Sequence, residues 1–400
     1  LFVPTTYIQL LEKTKAIAAS LKKLGVRRGD RIGLLSDNRP EWLALDLGIL
    51  SLGAADVPRG RDAMEYEIEY ILSFSSVSVC VVENLELYRK LDSVRNRLTE
   101  LKYVILIDEK GIEMQDGDIT YSSLLSEGMK LLGEEGVREE IEREVMLGDE
   151  NDTATIIFTS GTTGLPKGVM TTHGNFLYIC RVGHNLYPFK KGEKWLSVLP
   201  VWHSFERIIQ YLFISLSHTI CYSKPIGKIM LYDIQRVNPH YMGSVPRIWE
   251  TVKSGVYQNL RGMSKSKRAL FSFFLKVGTH YSNSRKMVLG STAHTGSGSV
   301  TLDKIKGLVP YIILKPFNAL GQKLVFRAVK SKLGKNFRFG ISGGGSLSRD
   351  VEDFFSAIDI KLLNGYGMTE TGPVIGISDA LCPKKVFIAP LPETQVKVVD

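Results

Sequence analysis

The chain has 400 residues, of which 44% are hydrophobic and 23% are charged, a composition typical of a soluble globular protein. No window holds about 20 uninterrupted apolar residues, so a membrane-spanning helix is not expected. The four cysteines, Cys80, Cys180, Cys221 and Cys382, include no C-x-x-C pair, which argues against a zinc site or a disulfide framework and favours a reducing, cytoplasmic location.

The net charge of +9 is distributed unevenly along the chain. Residues 253–338, which we call the basic segment, contain 17 Lys or Arg and one acid, Asp303, so their formal charge is +16. The other residues include 34 basic and 41 acidic side chains, a charge of −7. This segregation indicates either a surface for an anionic partner, such as lipid headgroups or a polyanionic ligand, or a solvated basic face. A nucleic-acid partner is not expected.

In the first part of the chain, helical and strand patterns alternate. Apolar residues at helical spacing predict a helix from residue 7 that stops at Gly25, and a second helix begins near Pro40. Apolar or β-branched runs near 31–35, 76–83 and 103–108 predict strands. The alternation predicts an α/β fold with mostly parallel, buried strands, flanked by helices and organised in packed subdomains.

The later segments continue this pattern. Residues 133–152 are acidic and predict a solvated helix followed by a linker, and residues 153–158 predict a buried strand. A short strand is expected near 168–173, a helix over 174–183, and further strands near 194–200 and 218–222. Residues 281–300 are rich in Ser, Gly and Thr and predict a surface excursion.

The loop "FTSGTTGLPKG", residues 158–168, has the composition of a phosphate-binding loop, with three glycines, four hydroxyl side chains and one lysine. Glycines let backbone N–H groups approach phosphate oxygens, and Lys167 supplies a mobile positive charge. The spacing differs from the common phosphate loop G-x-x-x-x-G-K-[ST], and Pro166 before Lys167 argues against a helix that starts at the lysine. A flap over a polyphosphate is expected, and a turn without ligand is the alternative.

Three more segments carry candidate chemistry after apolar strands. "LPVWHSFERI" presents His203 and Glu206, although a lone histidine is more often structural than catalytic. "ISGGGSLSRDVEDFF" has three glycines against which a flat base can lie. "LLNGYGMTETGP" presents Tyr366, which can stack on a base, and Glu370, whose carboxylate can hold Mg²⁺ on a polyphosphate. Open α/β sheets bind ligands at the carboxyl ends of their strands, where all four segments are expected.

Together, "FTSGTTGLPKG", "PVWHSFER", "SGGGSL" and "NGYGMTETGP" resemble, in this order, the adenylate-forming superfamily of acyl-CoA synthetases, luciferases and peptide-synthetase adenylation domains. "DNRPEWLALDLGILSLGA" and "VNPHYMGSVPRIWE" look most like its long-chain fatty acyl-CoA ligases. The resemblance implies that ATP and a fatty acid form an acyl-adenylate and pyrophosphate, and that the thiol of CoA then displaces AMP. Charge neutralisation and in-line positioning would carry most of that catalysis.

The resemblance also implies roles for individual residues. Thr159 and Glu370 look like the Mg²⁺ partners, and His203 would sit beside the reacting carboxylate. The phosphate flap would comprise Ser160, Gly161, Thr162, Thr163, Gly164 and Lys167. The adenine, ribose and α-phosphate would be surrounded by Gly343, Gly344, Gly345, Asn364, Gly365, Tyr366, Gly367, Met368 and Thr369.

The acyl site is implied by "SVPRIWE", where Val245 would contact the substrate and Trp249 falls at the position of an aromatic gate to the acyl tunnel. A core tryptophan is the alternative for Trp249. One departure from the family pattern is Gly345, which stands where alanine is usual, a tolerable change at a backbone-lined site.

The resemblance runs from about Thr6 to the chain end, and we expect residues 1–400 to be a large N-terminal domain that is incomplete at both ends. The first residue is Leu1, and the last residues, "TQVKVVD", read as an alternating strand. In the family, a ribose-binding aspartate, a hinge and a small lid domain with the adenylation lysine follow the "GYGMTET" loop. We expect the 400 residues to hold the nucleotide site without that lid.

Other interpretations stay open at this stage. One is an adenylating domain for another carboxylate, such as an amino acid, which "HSFER" and "VPRIWE" disfavour. Another is a lidless module that binds nucleotide or lipid without efficient turnover. A homodimer is left open. The basic segment contains "LFSFFLKVG" and "LVPYIILKPF", which suit shallow attachment to the cytoplasmic face of an anionic membrane, unless these runs are core helices.

Overall fold

The computed structural model describes residues 2–159, 165–290, 300–378 and 388–397. The chain divides into two compact units, which we call unit 1 (Leu1–Tyr178 and Pro200–Arg207) and unit 2 (Ile179–Leu199 and Ile208–Asp400). The assignment of both units to one large domain, and the outer boundaries of that domain, stay a prediction.

Unit 1 is built on a seven-stranded sheet with the order β5-β4-β3-β1-β2-β6-β7. All neighbouring strands are parallel except β7, which runs antiparallel to β6. The strands are β1 Arg31–Leu35, β2 Ala55–Arg59, β3 Val79–Val82, β4 Tyr103–Leu106, β5 Asp118–Thr120, β6 Thr153–Thr159 and β7 Lys167–Thr172. The helices are α1 Tyr7–Lys23, α2 Pro40–Ser51, α3 Glu65–Phe74, α4 Leu85–Asp92, α5 Tyr121–Leu131, α6 Val137–Met146 and α7 His173–Gly183, whose last turn enters unit 2.

Local chemistry explains why the first helix of unit 1 starts and stops where it does. Thr6 caps α1 through a capping box with Gln9, so two N-terminal N–H groups are satisfied. The chain leaves α1 through Gly25, whose φ of +94° is a left-handed conformation that favours glycine. Strands β1 and β3 are almost fully buried, as expected for parallel strands covered by helices on both faces.

Unit 2 has a second seven-stranded sheet with the order β14-β13-β12-β11-β10-β8-β9. Strands β8 to β12 are parallel, and β13 and β14 are antiparallel additions at one edge. The strands are β8 Lys194–Ser197, β9 Thr219–Tyr222, β10 Tyr241–Ser244, β11 Phe339–Ser342, β12 Lys361–Tyr366, β13 Gly376–Ile377 and β14 Ala389–Pro390. The helices are α8 Ser204–Ser215, whose first turn belongs to unit 1, α9 Gly227–Val237, α10 Pro246–Arg261, α11 Lys265–Val288, α12 Val300–Gly321, α13 Arg327–Lys330 and α14 Arg349–Ala357.

Each sheet is covered by apolar side chains of its own unit. In unit 1, Ile17 of α1 and Trp42 and Leu45 of α2 belong to a core cluster on the sheet. In unit 2, Trp249 of α10 and Phe355 of α14 lie in the corresponding core. The predicted α/β fold with mostly parallel strands is therefore confirmed.

The predicted helices up to residue 222 correspond to α1, α2, α6 and α7, and the predicted strands correspond to β1, β3, β4 and β6 to β9. The structure adds β2, β5, α3, α4, α5 and α8, which were not predicted from the sequence. The surface excursion predicted over 281–300 is wrong for residues 281–288, which continue α11. Its serines are accommodated because Ser284 Oγ donates to the His280 carbonyl one turn earlier, 2.8 Å away. Residues 291–299 lie outside the described residues.

Residues 394–397 form no strand, contrary to the expectation for the last segment, and 398–400 lie outside the described residues. Among the described helices, none combines the length and apolar character needed to cross a bilayer.

Candidate functional site

The predicted phosphate flap is the connection of a β-hairpin. Thr159 ends β6 and Lys167 begins β7, and the two residues pair directly across the antiparallel ladder. Directly opposed residues of such a pair project from the same face of the sheet. The structure therefore brings Thr159 and Lys167 together at the base of the loop, and Lys167 opens a strand rather than a helix, as predicted. Ser160, Gly161, Thr162, Thr163 and Gly164 lie outside the described residues.

The base of this hairpin is held on α3. Tyr70 Oη donates to the Pro166 carbonyl at 3.3 Å, and the rings of Tyr70, Phe74 and Phe158 pack with centroids 5.6–6.2 Å apart. A Cβ at Gly168 would lie 2.9 Å from Ile156 Cγ2, so this glycine serves the packing of the hairpin itself. The loop between Thr159 and Lys167 therefore starts from a fixed base.

His203 lies in unit 1 at the carboxyl edge of the same sheet. The Val201 N–H donates to Asn38 Oδ1, in the loop between β1 and α2, at 2.8 Å. The Trp202 indole covers Gly60, the residue after β2, so closely that a Cβ at Gly60 would overlap it. Trp202 therefore holds the His203 segment at the carboxyl end of β2. Strand β2 is the neighbour of β6, which ends at Thr159.

The environment of His203 favours its neutral form. Its ring is exposed to solvent but lies on the Trp202 ring with centroids 4.0 Å apart. Desolvation by these protein atoms, followed by the positive charge of Arg59, lowers the pKa of His203 below its ordinary value of 6.5. A neutral imidazole can donate or accept one hydrogen bond beside a carboxylate without adding charge.

A buried ion network anchors the segment that carries His203. Arg207 is fully buried and forms ion pairs with Asp46 of α2 at 2.5 Å and Asp56 of β2 at 2.7 Å. Its guanidinium also lies over the rings of Trp42 and Phe176, at 5.3 and 5.5 Å. Sequence reasoning missed this network. The available signal was an aspartate inside each of two apolar elements, "LALDLGIL" and "AADVP".

In unit 2, three neighbouring parallel strands end side by side. Ser244 of β10, Ser342 of β11 and Asn364 of β12 are in register. Val245 follows β10 and glycines 343–345 follow β11, whereas β12 continues to Tyr366. The Gly343 N–H donates to the Ser244 carbonyl at 3.2 Å, and a Cβ at Gly344 would lie 3.7 Å from Val245 Cγ1. The structure thus brings the predicted base-binding glycines and Val245 together.

The glycines at this edge differ in what the fold requires of them. Gly344 has φ +72°, which favours glycine by conformation. At Gly345 and Gly365, the nearest atoms to a Cβ would be 3.7 and 3.8 Å away, which is ordinary contact. At Gly367, by contrast, a Cβ would overlap the Pro373 carbonyl. The absence of side chains at 345 and 365 is therefore not explained by packing, and it leaves the backbone accessible.

The segment from Asn364 to Glu370 forms one side of a second hairpin, between β12 and β13. The Asn364 N–H donates to Ser378 Oγ at 2.6 Å, and the Ser378 N–H donates to the Asn364 carbonyl at 2.8 Å. Tyr366 and Met368 are exposed, and Thr369 and Glu370 lie in the short 3₁₀ turn Thr369–Thr371 beyond Gly367. Glu370 is exposed at that turn.

The donor atoms fit the hard oxygen chemistry of Mg²⁺. In unit 2 the carboxylate of Glu370 is an oxygen donor, and in unit 1 the hydroxyl of Thr159 is another. Each by itself is of the ligand type that Mg²⁺ takes. Within the described residues, no group of three or more His, Cys, Asp or Glu could hold a metal ion.

Trp249 is fully buried in unit 2. Its ring lies 5.6 Å from that of Phe355, and a Cβ at Gly340 would overlap its indole. This is the environment of the core tryptophan that the sequence left as an alternative. A gating role for Trp249 stays a prediction.

Each of the two sheets carries glycine- or hydroxyl-rich loops at the carboxyl ends of its strands, where open α/β sheets bind ligands. Residues 3–400 match the family model for AMP-binding enzymes, and the chain belongs to this family. The suspected adenylate-forming superfamily is thereby confirmed.

Relatives of known description come from Arabidopsis thaliana. The chain is 33% identical to the probable acyl-activating enzyme 16, chloroplastic, and 31% identical to the long-chain-fatty-acid–[acyl-carrier-protein] ligase AEE15, chloroplastic. It is 29% identical to the long chain acyl-CoA synthetase 7, peroxisomal. Each match covers 99% of this chain, but the chain spans only 52–56% of these relatives.

Solved structures share the fold. The anthranilate CoA ligase AuaEII in complex with anthranoyl-AMP superimposes with a TM-score of 0.65 at 17% identity, over 99% of this chain and 61% of that one. A long-chain-fatty-acid-CoA ligase (FadD1) from Archaeoglobus fulgidus gives a TM-score of 0.62 at 16% identity, over 97% of this chain and 64% of that one. At these identities the likeness concerns the fold alone.

Proposed function

We propose that the protein of which these residues are part activates a long-chain fatty acid with ATP and transfers the acyl group to a thiol. An oxygen of the carboxylate attacks the α-phosphorus, the bond from that phosphorus to the bridging oxygen breaks, and pyrophosphate leaves. The thiol sulfur then attacks the acyl carbon, loses its proton, and AMP departs. The observation that carries the proposal is the pair of glycines 345 and 365, which packing does not require, at an edge where open α/β sheets bind ligands.

In unit 1, the hairpin residues would act on the phosphates. Lys167 would neutralise charge on the β- and γ-phosphates, with the backbone and hydroxyls of residues 160–164 as further donors. Thr159, opposite Lys167, would contribute its hydroxyl to the Mg²⁺ of the nucleotide. The bound Mg²⁺ supplies charge neutralisation to the triphosphate. The reaction brings two anions together, so such neutralisation lowers the barrier directly.

In unit 2, the strand-end residues would bind the nucleoside. Glycines 343–345 leave a backbone surface for the adenine, and the exposed ring of Tyr366 offers a stacking face. Asn364, Gly365, Gly367, Met368 and Thr369 would surround the ribose and the α-phosphate. Glu370 would be the carboxylate partner of Mg²⁺.

His203 and Val245 are the residues we propose for the fatty acid. The neutral imidazole of His203 can hydrogen-bond the reacting carboxylate without neutralising the attacking oxygen. Val245 is half-buried beside Gly344 and offers an apolar contact near the nucleoside loops. Trp249 remains a candidate for the acyl site. We expect it to act from within the core, through its packing on Phe355.

The thiol acceptor has two candidates. CoA is the acceptor that the sequence resemblance predicts, and the 29% identical relative is an acyl-CoA synthetase by description. The 31% identical relative is described as an acyl-carrier-protein ligase, which supports a carrier-protein thiol as the second candidate. We propose CoA as the acceptor and the cytoplasm as the compartment.

The test uses the full-length protein and ATP–pyrophosphate exchange across a panel of fatty acids and amino acids. The proposal predicts exchange that depends on a long-chain fatty acid and on Mg²⁺. Thioester formation is then compared with CoA and with a phosphopantetheinyl carrier protein. Exchange driven by amino acids alone would favour the rival adenylating domain, and nucleotide binding without exchange would favour a module that does not turn over.

A further inference from the structure

Helix α12 is apolar on the side that faces water. Large hydrophobic side chains along it, and one just beyond it, are 47–64% exposed, far above what a covered helix face shows. We call this set the α12 outer face, and its members are Leu302, Ile305, Leu308, Val309, Ile312, Ile313, Phe317, Leu320 and Leu324. Single exposed hydrophobic residues are ordinary, but a contiguous set on one helix marks an interaction surface.

The opposite side of α12 is fixed against α11. A Cβ at Gly307 would lie 2.7 Å from Met287 Cβ, so the helices approach closely at this point. Tyr311 stacks on Tyr281 with ring centroids 5.3 Å apart and 16° between the ring planes. The outer face therefore cannot turn inward without breaking these contacts.

Unpaired lysines flank the α12 outer face. Lys304 and Lys306 lie near its N-terminal end, Lys315 lies along it and Lys323 follows it, and all four are exposed. In the part of the chain that the structure describes, these four form no ion pair. Elsewhere in the basic segment, Lys286 and Lys330 are paired with acidic side chains. The cations around the apolar face are thus free to meet an external anion.

We propose that the α12 outer face docks the protein in the plane of an anionic lipid bilayer. Apolar side chains would enter the boundary between headgroups and acyl chains, and the lysines would reach the phosphates. The stretch from Leu308 to Leu320 is about 20 Å long, enough for an interfacial helix. Its packing on α11 and its flanking lysines favour an in-plane position. This inference does not depend on the proposed reaction.

Charge decides between a membrane and a second copy of the chain. A symmetric contact through this face would bring two basic segments of +16 each against one another. An anionic bilayer offers both the apolar medium and the negative charge, and each basic residue near its surface strengthens binding by about fivefold at low salt. Salt should weaken that part of the binding.

The experiment is sedimentation of the full-length protein with vesicles of phosphatidylcholine alone or with about a third of phosphatidylglycerol, at low and high salt. The test variant is Val309→Asp with Ile312→Asp. Its matched control is Val145→Asp with Met146→Asp, which changes two exposed hydrophobic residues on α6. We expect the test variant to lose binding to anionic vesicles at least tenfold and the control to bind like wild type. Thermal unfolding monitored by circular dichroism establishes that both variants are folded.

A second pair of variants isolates the charge. Lys304→Gln with Lys306→Gln should weaken binding to anionic vesicles by roughly tenfold or more and reduce its salt dependence, while Lys102→Gln with Lys110→Gln should not. Exchange with a long-chain fatty acid, measured without vesicles, should be the same in all variants, so the membrane inference can fail while the proposed function stands. Equal binding to neutral and anionic vesicles would overturn the inference. The inference would also be overturned if the test variant lost self-association, or lost binding to an acidic carrier protein, and still bound vesicles like wild type.

Discussion

At the scale of single residues, the glycines at the strand ends of unit 2 divide into those that packing requires and those that it does not. Gly365→Ala and Gly345→Ala place a methyl group in ordinary contact distance, and we expect the free energy of unfolding to change by less than about 1 kcal/mol. We expect ATP affinity to fall about tenfold or more, because the methyl group occupies the space of the nucleotide.

Gly367→Ala is the matched control for these two variants. Its methyl group would overlap the Pro373 carbonyl, so we expect Gly367→Ala to lower the free energy of unfolding more than Gly345→Ala or Gly365→Ala does. Urea denaturation and ATP titration by calorimetry measure both quantities on the same samples. If Gly365→Ala and Gly345→Ala bind ATP like wild type, the backbone at these positions does not contact the nucleotide.

Glu370 and Lys167 are predicted to differ in the size of their contributions. Glu370→Gln keeps the shape of the side chain and removes a charged Mg²⁺ ligand, so fatty-acid-dependent exchange should fall by about 10²-fold or more. Lys167→Ala should lose less, because backbone donors of the loop can replace part of its charge. Exchange rates at saturating Mg²⁺ give the comparison. A Glu370→Gln enzyme as active as wild type would refute the assignment.

At the scale of elements, the sequence predicted most strands and some of the helices, those whose apolar pattern is strong and local. The excursion predicted over 281–300 failed for a physical reason. Serine is a poor helix former in isolation, but in α11 the Ser284 hydroxyl bonds one turn back, and the packing of α12 at Gly307 stabilises the helix beyond it. Tertiary contacts of this kind cannot be read from local composition.

In the candidate site, too, the sequence predicted local features and missed those that depend on tertiary contacts. Its loops were found because glycines and hydroxyls cluster next to apolar strands. The pairing of Thr159 with Lys167 depends on the hairpin register, which the sequence did not specify. The Arg207 network was missed because its partners, Asp46 and Asp56, lie more than 150 residues away along the chain.

Arg207 is predicted to be a positioning residue for the His203 segment. Arg207→Met should lower the free energy of unfolding by about 3–5 kcal/mol, because Asp46 and Asp56 would be left buried without a counter-charge. The deficit should narrow as the pH falls, since protonation removes those charges. Urea denaturation at several pH values provides the measurement. Arg143→Met, on an exposed turn of α6, is the control, and an equal loss in both variants would contradict the network's role.

At the scale of the whole molecule, four histidines make stability depend on pH in one direction. Desolvation by surrounding protein atoms lowers the pKa of His173, His203, His218 and His240 below the ordinary value of 6.5. Below that value the unfolded chain binds protons that the folded chain does not, so stability must fall as the pH decreases. The stabilising contribution is present above about pH 6.5 and is lost progressively below it.

We therefore expect the midpoint of urea unfolding to decrease between pH 7.5 and pH 5.5. Replacing the buried His218 by Gln should reduce the slope of stability against pH, whatever it does to stability itself, because one titrating group is removed. A midpoint that rises on acidification over this interval would contradict the histidine assignment.

The central claim is that a carboxylate oxygen attacks the α-phosphorus of ATP, and the fate of that oxygen tests it most directly. The full-length protein is given a long-chain fatty acid labelled with ¹⁸O in its carboxylate, together with ATP, Mg²⁺ and the thiol acceptor, and the nucleotide product is analysed by mass spectrometry. The account predicts AMP that carries one ¹⁸O atom for each thioester formed. Unlabelled AMP, or ADP with the label in inorganic phosphate, would contradict it.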